Sequence, residues 1–542
     1  MMELNTTTNE AVAYTRAGDI FHYRWAARRC LKLIHPTSHL ESIYIEGSSA
    51  KEKAGEYVID VSEYYTTNTS SRRIEYYQLK HSTKNASGLG TPFKLNHLEK
   101  TLAGFADRFR QHKTQNSLDG VGFTILTNRL IDEPVKRKVS AVIKGEKVDG
   151  RFLATVTKYT NLKGDDLSHF LRRLNLQDSE GDYLVQEQEL REEMSRLQPG
   201  TIDSAQVASI VELVQKRVLP DVSGKIVAED VLRPFGVTSE KHLFPAPPKF
   251  ESVKKLTIRE VYRTILNDIK AATHPVIVHA EGGVGKSVFS QYLLHALPEK
   301  SLGIAYDCFG AGTYRSRSQP RHRHRDALVQ IVNELATLGL CERMLVADTT
   351  LETDIMRDFL SRIAASVDNL KKAHDQAELF ILIDAADNAE MAAQEFADAC
   401  FANELFRESF PEGCNIVVLC RPGRIELLKP PTFIQCFELP SFSEAETLEN
   451  LIKWFPNATE NEAKEFHRLT YGNPRVQMNA IDAAGNSISD LLKYLGPHGI
   501  TVQQQIESQL KAAVQNIKDN LPEIFQKNIR CEICTKTRSC DK

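Results

Sequence analysis

The stretch PVIVHAEGGVGKSVFSQYLLHAL, residues 275–297, decides the fold of the second half of this chain. It has the pattern of an apolar strand, a glycine-rich turn and an amphipathic helix, the context in which a phosphate loop has a physical basis. Glycines allow backbone N–H groups to turn toward a bound phosphate. Further apolar strands then alternate with helical stretches, which is typical of a parallel sheet covered on both faces. The sequence therefore predicts an α/β nucleotide-binding unit.

The predicted phosphate loop is AEGGVGKS, residues 280–287. Lys286 is expected to reach the β- and γ-phosphates of ATP, and the Ser287 hydroxyl to hold Mg²⁺. Ala280 replaces the usual first glycine of the motif, and its small side chain is compatible with the loop. The residues predicted to bind the nucleotide are Glu281, Gly282, Gly283, Val284, Gly285, Lys286 and Ser287.

Acidic residues follow the apolar strand LFILID within residues 379–387. Asp384 ends this strand and is expected to bind Mg²⁺, and Asp387 is suited to activating water. An aspartate that ends a buried strand also commonly caps the next element, so this alternative stays open.

Two further motifs fit a nucleotide site. NIVVLCRPGR, residues 415–424, places Arg421 just beyond another buried strand, where a guanidinium could sense a γ-phosphate; a surface arginine is the alternative. YGNPR, residues 471–475, places Pro474 where a helical lid would approach the nucleotide.

The chain length and a proline cluster indicate the domain organisation. A chain of 542 residues is expected to form two to four domains. Pro245, Pro247 and Pro248 mark a stiff linker. The predicted ranges are 1–150 for an α+β core, 151–240 for its helical extension, 241–252 for the linker, 253–440 for the NTPase, 441–520 for a helical lid and 521–542 for a polar tail.

Composition and charge limit the classes of function. Apolar residues make up 42% of the chain, which is ordinary for a globular protein, and the net charge of −3 gives no global sign of a nucleic-acid coat. Ten cysteines, with only Cys30 before residue 300, form no disulfide framework. Because no signal peptide and no apolar run of about 18 residues is present, we expect a cytoplasmic protein without a membrane partner.

The first half contains a polar pattern on two predicted strands, in YVIDVSEYYTTNTSSRRIEYYQLKHS, residues 57–82. Side chains two apart in a strand share a face, so Gln78 and Lys80 are expected to project together. Asp60, near the end of the preceding strand, is expected to lie beside Gln78. Glu46 is a candidate second acid at the end of the strand ESIYIEG.

Phosphodiester cleavage gives these residue types a chemical rationale. It requires a divalent cation held by hard oxygen ligands. Asp60 and Gln78 are expected to bind Mg²⁺, and Lys80 to orient water or stabilise charge on the phosphate. The alternative is a solvated hairpin edge.

Basic clusters suggest a path for double-stranded DNA. Phosphate neutralisation requires only local lysine and arginine groups. One cluster comprises Arg108, Arg110, His112 and Lys113, and a second comprises Lys136, Arg137 and Lys138. Solvated surface charge is the alternative for both. The segment TYRSRSQPRHRHRD, residues 313–326, adds Arg315, Arg317, Arg321, Arg323 and Arg325. It is interpreted as a flexible polar loop, and contact with a neighbouring subunit's nucleotide or with an effector is the alternative.

The order of GGVGKS, ILIDAAD, CRPGR and GNP resembles the STAND class of signal-transduction NTPases, relatives of NACHT and AAA+ modules, over residues of about 253 to 520. That resemblance implies a P-loop parallel sheet with a helical lid. It also implies that ATP binding switches the protein into a homo-oligomer.

The D…QxK pattern resembles the restriction-endonuclease-like PD-(D/E)xK fold, with Gln78 in place of the second acid. Residues 18–247 resemble the Cap-type double-stranded DNA endonuclease domain of CD-NTase anti-phage systems, which also begins antiviral STAND (Avs) proteins. Together these resemblances imply an Mg²⁺-dependent DNA endonuclease controlled by ATP. A regulatory ATP-binding protein with a degenerate, DNA-binding first domain is the alternative, and an NTP-driven restriction translocase is a third class.

The C-terminal tail carries Cys531, Cys534 and Cys540, which are interpreted as incidental because a bare CxxC is a weak zinc pattern. The STAND resemblance implies a C-terminal sensor, for which this chain has no evident region. A phage-derived trigger sensed by a separate chain, or a longer gene product, would account for that.

Overall fold

The computed structural model describes residues 3–45, 60–66, 73–82, 91–219, 221–250, 258–483 and 487–496. The chain divides into two compact units. The first comprises residues 1–245 together with 324–369, and the second comprises 246–323 together with 370–542. The main division falls inside the proline-rich segment.

The chain alternates between strands and helices in both units. The strands are β1 (Leu40–Ile45), β2 (Val61–Tyr65), β3 (Arg73–Lys80), β4 (Val121–Thr127), β5 (Leu174–Gln177), β6 (Lys225–Ile226), β7 (Val276–His279), β8 (Leu302–Asp307), β9 (Leu379–Asp384), β10 (Cys414–Cys420) and β11 (Cys436–Glu438). The helices are α1 (Glu3–Leu31), α2 (Glu99–Thr114), α3 (Glu133–Ile143), α4 (Gly150–Thr160), α5 (Gly164–Leu171), α6 (Tyr183–Ser195), α7 (Ser204–Arg217), α8 (Ala228–Leu232), α9 (Glu260–Ala271), α10 (Lys286–Ala296), α11 (His324–Thr337), α12 (Glu352–Ala373), α13 (Ala386–Phe396), α14 (Phe401–Glu404), α15 (Glu444–Ile452), α16 (Glu460–Thr470), α17 (Pro474–Ala483) and α18 (Ile488–Leu495).

The first unit contains a mixed six-stranded sheet in the order β5-β4-β3-β2-β1-β6. Strand β2 pairs antiparallel with both β1 and β3, whereas β3, β4 and β5 run parallel. Val61 is paired with Tyr77, so the described parts of the predicted hairpin do form an antiparallel pair.

Alternation along β3 separates the two covered faces of this sheet. Tyr77 and Leu79 join the apolar cluster that includes Phe21 and Trp25 of α1. Tyr76 faces the other way and packs in the cluster built by α2, α4 and α5. Because side chains alternate along a strand, Gln78 and Lys80 lie on the same face as Tyr76.

Residues 151–240 are mainly helical, and they also complete the sheet. The four residues of β5 pair in parallel with β4, and the two residues of β6 pair with β1, so this segment supplies both edge strands. Strands this short carry too few residues to show a period of two in the sequence.

Helix α11 and most of α12 belong to the first unit, although their sequence lies inside the range predicted for the NTPase. Asn333 donates to the carbonyl oxygen of Leu243 at 2.9 Å. Arg362 donates to the carbonyl oxygen of Arg196 at 2.7 Å. These bonds tie the inserted helices to the segment that completes the first sheet.

The second unit contains a five-stranded parallel sheet in the order β11-β7-β10-β9-β8, which confirms the predicted parallel α/β arrangement. Strand β9 is buried along its whole length. A strand covered on both faces requires a continuous apolar run, which is why LFILI precedes its acid. The parallel register sets Asp307 of β8 beside Asp384 of β9.

A helical region follows the sheet, within the range 441–520 for which a lid is predicted. Helices α15 to α18 share one apolar cluster that includes Leu451, Phe466, Leu469 and Leu491. Among the helices of the described ranges, none combines the length and the apolar character needed to cross a membrane.

The structure corrects the interpretation of two basic clusters. Arg108 and His112 are buried against Tyr76, so they are not surface contacts for DNA as predicted. Arg321 and His322 are also buried rather than part of a flexible polar loop. Sequence composition shows how many charged residues a segment contains. It does not show the distant hydrogen-bond and ionic partners that offset the free-energy cost of burying those charges.

Candidate functional sites

The glycine-rich loop joins β7 to α10 and has the geometry that its glycines allow. Gly283 has φ +83° and Gly285 has φ +109°, values that residues with a Cβ rarely adopt. A Cβ on Gly283 would also lie 2.7 Å from Asn473 Oδ1. Glycine at position 283 is therefore required both by the backbone and by the neighbouring lid.

The loop carbonyl groups accept hydrogen bonds from the lysine of the loop itself and from residues 473 and 475. Lys286 Nζ donates to the carbonyl oxygens of Ala280 at 2.7 Å and Glu281 at 3.1 Å. The carbonyl oxygen of Gly282 accepts from Asn473 Nδ2 at 2.8 Å, and that of Gly283 accepts from the Arg475 N–H at 3.1 Å.

The loop N–H groups are in the opposite situation. Within the ranges that the structure describes, the N–H groups of Gly282, Gly283 and Gly285 donate to no protein acceptor. The first turn of α10, which begins at Lys286, adds further N–H groups without intrahelical partners. This arrangement of donors suits an anion such as a phosphate chain.

A hydroxyl and a carboxylate meet beside this loop. Ser287 Oγ donates to Asp384 Oδ2 at 2.5 Å. Asp384 is buried, and its second oxygen, Oδ1, has no hydrogen-bond partner among the described residues. Burial raises the pKa of Asp384 to about 6, against the opposing hydrogen bond from Ser287. A buried, unpartnered carboxylate oxygen beside a hydroxyl fits the hard-oxygen ligand set of Mg²⁺.

Asp387 and Arg421 occupy different surroundings. Asp387 is buried and forms an ion pair with Arg424 Nη1 at 3.1 Å, so its carboxylate is held by a residue that the sequence reasoning did not single out. Arg421 is exposed. Burial lowers the pKa of Lys286, and the positive charge of Arg421 acts in the same direction. The second arginine of RPGR was the available signal for Arg424.

The lid motif reaches the loop through the neighbours of Pro474. Pro474 begins α17, whereas Asn473 and Arg475 make the contacts with Gly282 and Gly283. The sequence analysis predicts only Pro474 of this motif as a nucleotide-site residue, whereas its neighbours Asn473 and Arg475 contact the loop.

In the first unit, Asp60 lies immediately before β2, at the start of this described strand rather than near its end, which corrects its predicted place. The expected meeting with Gln78 is nevertheless present. Asp60 Oδ2 accepts from Gln78 Nε2 at 2.7 Å and from the Leu79 N–H at 2.5 Å. The backbone N–H of Asp60 donates to Tyr77 O at 3.0 Å, which continues the ladder of β2 and β3.

The charges of this polar group are strongly perturbed. Burial raises the pKa of Asp60 to about 7, although the Leu79 N–H, the charge of Lys80 and Gln78 act against it. Burial lowers the pKa of Lys80, which Asp60 partly offsets and Lys100 reinforces. Lys100, in the first turn of α2, was not identified from the sequence. Perturbed carboxyl and amine groups that interact are typical of functional sites.

The polar group around Asp60 offers few protein ligands for a metal ion. Among the described residues, no cluster of three or more His, Cys, Asp or Glu is arranged as a metal site. Glu46 and the cysteines of the C-terminal tail lie outside the described residues. Asp60 supplies one carboxylate and Gln78 an amide carbonyl, so a bound cation would need water and substrate oxygens as its remaining ligands.

A buried ionic network lies on the opposite face of the same strands. Glu63 is fully buried and accepts from Arg29 of α1 through both oxygens, at 2.5 and 2.6 Å. Tyr65 and Tyr77 donate to Glu63 Oε2 at 2.6 and 2.9 Å. Tyr77 immediately precedes Gln78, so the network fixes the strand that carries the polar site.

Comparisons with known proteins match one region by sequence. Residues 252–421 match the family described as Nephrocystin 3, N-terminal. No match was found among curated proteins.

Two solved structures show a distant likeness to this chain. The Moraxella osloensis Cap4 SAVED/CARF-domain containing receptor is 10% identical, and the alignment covers 70% of this chain and 67% of that chain with a TM-score of 0.24. The corresponding Acinetobacter baumannii receptor, solved with the cyclic trinucleotide 2'3'3'-cAAA, is 11% identical over 69% of this chain and 64% of that chain, also at 0.24. A TM-score of 0.24 is too low to establish a shared fold.

Proposed function

We propose that this protein is an Mg²⁺-dependent double-stranded DNA endonuclease whose activity is controlled by ATP-dependent assembly of a STAND NTPase. Cleavage is assigned to the first unit and nucleotide control to the second. We assign to the whole protein a role in anti-phage defence in the cytoplasm. The resemblances of motif order and of residues 18–247 motivate that role.

Nucleotide control is supported by a phosphate loop whose carbonyls are engaged and whose N–H groups are available. Lys286 would contact the β- and γ-phosphates, and Ser287 with Asp384 would hold Mg²⁺. The match of residues 252–421 to a STAND-related region adds to this support. Bound Mg²⁺ would neutralise phosphate charge, and Arg421 would contact the terminal phosphate.

One observation carries the nuclease assignment: Asp60 and Gln78 are in contact at 2.7 Å on the sheet face that Lys80 shares. Asp60 is buried enough to raise the pKa of its carboxyl, yet none of the three side chains is fully enclosed. Asp60 and the Gln78 carbonyl would hold the cation. Lys80, whose pKa is lowered by burial, would orient the attacking water or stabilise charge developing on the phosphate.

Plasmid nicking tests the nuclease assignment. Supercoiled DNA incubated with the full chain, ATP and Mg²⁺ is expected to become open-circular and linear. Replacement of Mg²⁺ by EDTA and the Lys80→Ala variant should both stop the reaction. Equal cleavage by wild type and Lys80→Ala would overturn the assignment.

A second candidate function is an ATP-binding regulatory protein whose first unit binds DNA without cutting it. The observation that favours it is that Gln78 turns its amide nitrogen toward Asp60, which keeps the pair satisfied without a cation. This candidate predicts DNA binding with no Mg²⁺-dependent nicking. Binding measured in EDTA alongside the nicking assay separates the two functions.

A further inference from the structure

The side-chain amide of Asn473 makes two kinds of contact at once. Its oxygen accepts from the N–H groups of Arg475 at 3.1 Å and Val476 at 3.3 Å, which caps the start of α17. Its nitrogen donates to the carbonyl oxygen of Gly282 at 2.8 Å. One amide therefore caps a lid helix and holds the phosphate loop.

We infer that Asn473 is a positioning residue for the nucleotide phosphates, acting through the Gly282 carbonyl rather than by touching the ligand. The inference rests on the proposed nucleotide-binding function and adds a residue to it. The amide belongs to the lid, so the lid shapes the loop to which the phosphates bind.

Peptide geometry explains how the contact acts. In a trans peptide the carbonyl of one residue and the N–H of the next point in opposite directions. When Asn473 holds the Gly282 carbonyl toward the lid, the Gly283 N–H is aimed the other way. Within the described residues that N–H donates to no protein acceptor, so it is available to a phosphate oxygen.

The surrounding contacts leave little freedom for another arrangement. The N–H of Arg475 also donates to the Gly283 carbonyl at 3.1 Å, which fixes a second peptide of the loop from the same lid turn. A Cβ at Gly283 would come within 3.0 Å of the Arg475 Cβ and closer still to Asn473. The loop and the lid turn are therefore packed in direct contact.

The chemistry of Asn473 suggests a substitution that separates its two roles. Serine caps a helix about as well as asparagine and is neutral, but its shorter side chain carries no amide to reach Gly282. Asn473→Ser should therefore keep the helix cap and lose the loop contact. Thr459→Ala is the matched control, because Thr459 caps lid helix α16 by accepting from the Glu462 N–H, and its side-chain hydrogen bonds within the described residues are with Glu462 and not with the phosphate loop.

The experiment measures the affinity of the full chain for a fluorescent ATP analogue with Mg²⁺, together with competition by ADP and by adenosine. Asn473→Ser should weaken ATP and ADP about two- to tenfold, the effect of one hydrogen bond, and leave adenosine unchanged. Thr459→Ala should lower the melting temperature without changing nucleotide affinity. An equal loss for adenosine would indicate a merely structural role and overturn the inference.

Two results distinguish this inference from the proposed function. If wild type binds the analogue, Lys286→Ala does not, and Asn473→Ser binds like wild type, the positioning role is wrong while nucleotide binding stands. If neither wild type nor Lys286→Ala binds the analogue, the nucleotide site itself is wrong and the inference falls with it.

Discussion

Ser287 Oγ donates a hydrogen bond of 2.5 Å to Asp384 Oδ2, joining the end of the phosphate loop to the end of β9. The two residues are 97 positions apart in the chain and meet because β7 and β9 lie in one parallel sheet on either side of β10. The carboxyl ends of parallel strands gather side chains from separate segments into one site. This pair supports the proposal that the second unit binds Mg²⁺.

Asp384→Asn is expected to separate magnesium binding from nucleotide binding. Without a carboxylate, Mg²⁺ should no longer tighten ATP binding, whereas binding of ATP in EDTA should persist. Burial raises the pKa of Asp384 to about 6, so at pH 7.5 the folded protein must hold a buried carboxylate that is unfavourable relative to the unfolded chain. The neutral amide of Asp384→Asn removes this cost, and the free energy of unfolding of the nucleotide-free protein should rise by about 1 to 3 kcal/mol. Isothermal titration with and without Mg²⁺, and urea unfolding, measure the two effects.

Ser287→Ala provides the contrasting control. It should also remove the Mg²⁺ effect, but it leaves Asp384 without its hydroxyl donor and should therefore lower the stability. A Mg²⁺ effect that survives in both variants would show that the ion is held elsewhere.

Gln78→Glu is expected to strengthen metal binding in the first unit. The change sets a second carboxylate against Asp60, in place of the amide that now donates to it at 2.7 Å. Two carboxylates bind a divalent cation more tightly, so the Mn²⁺ affinity should rise about tenfold or more. Without metal the like charges repel, and the melting temperature should fall. Gln78→Ala, which removes a ligand without adding charge, should bind Mn²⁺ more weakly than wild type.

The acidity of Asp60 predicts a pH dependence of metal binding. Its pKa is raised to about 7, so below that pH the cation must displace a proton. The apparent Mn²⁺ affinity should fall about tenfold for each pH unit below 7 and level off above it. Asp60→Asn should abolish the dependence together with binding in the first unit. Calorimetric titrations between pH 5.5 and 8.5 measure it, and a flat profile for wild type would contradict the ligand assignment.

Glu63→Gln is expected to destabilise the first unit strongly. Burial alone would raise the pKa of Glu63, but the hydrogen bonds and charge of Arg29 outweigh it and lower the pKa. The pair therefore contributes stability that is fully present above the ordinary pKa of glutamate, and this contribution is lost as the pH falls from there through the lowered pKa of the folded state. Breaking a buried pair on one side costs about 3 to 5 kcal/mol.

Urea unfolding at pH 7.5 and pH 4 measures the loss from Glu63→Gln, which should shrink at the lower pH. Glu465→Gln, in an exposed pair with Arg468, should leave the unfolding midpoint unchanged. An equally small effect of both substitutions would contradict the importance assigned to the buried pair.

The sequence predicted the parts of these sites that depend on local pattern. A period of two placed Gln78 and Lys80 on one face, and the apolar run of β9 placed Asp384 at the end of a buried strand. The antiparallel pairing that brings Asp60 to Gln78 followed from the polar turn between two strands.

The parts that sequence reasoning missed depend on long-range contacts. Gly282, the partner of Asn473, is 191 residues away in the chain. The carbonyl oxygens that accept from Arg321 belong to Asp307 and to the proline-rich segment, so the local pattern around Arg321 does not reveal that its guanidinium is buried. Short edge strands such as β5 likewise depend on a neighbour that the local pattern does not reveal.

The central claim is that occupancy of the nucleotide site controls DNA cleavage in the first unit. The most direct measurement is cleavage of supercoiled plasmid in Mg²⁺ as a function of ATP concentration, for wild type, Lys286→Ala and Lys80→Ala at equal protein concentration. We predict cleavage that rises with ATP for wild type and stays at background for both variants. Cleavage by Lys286→Ala equal to that of wild type, or by wild type at the same rate without ATP, would contradict the claim.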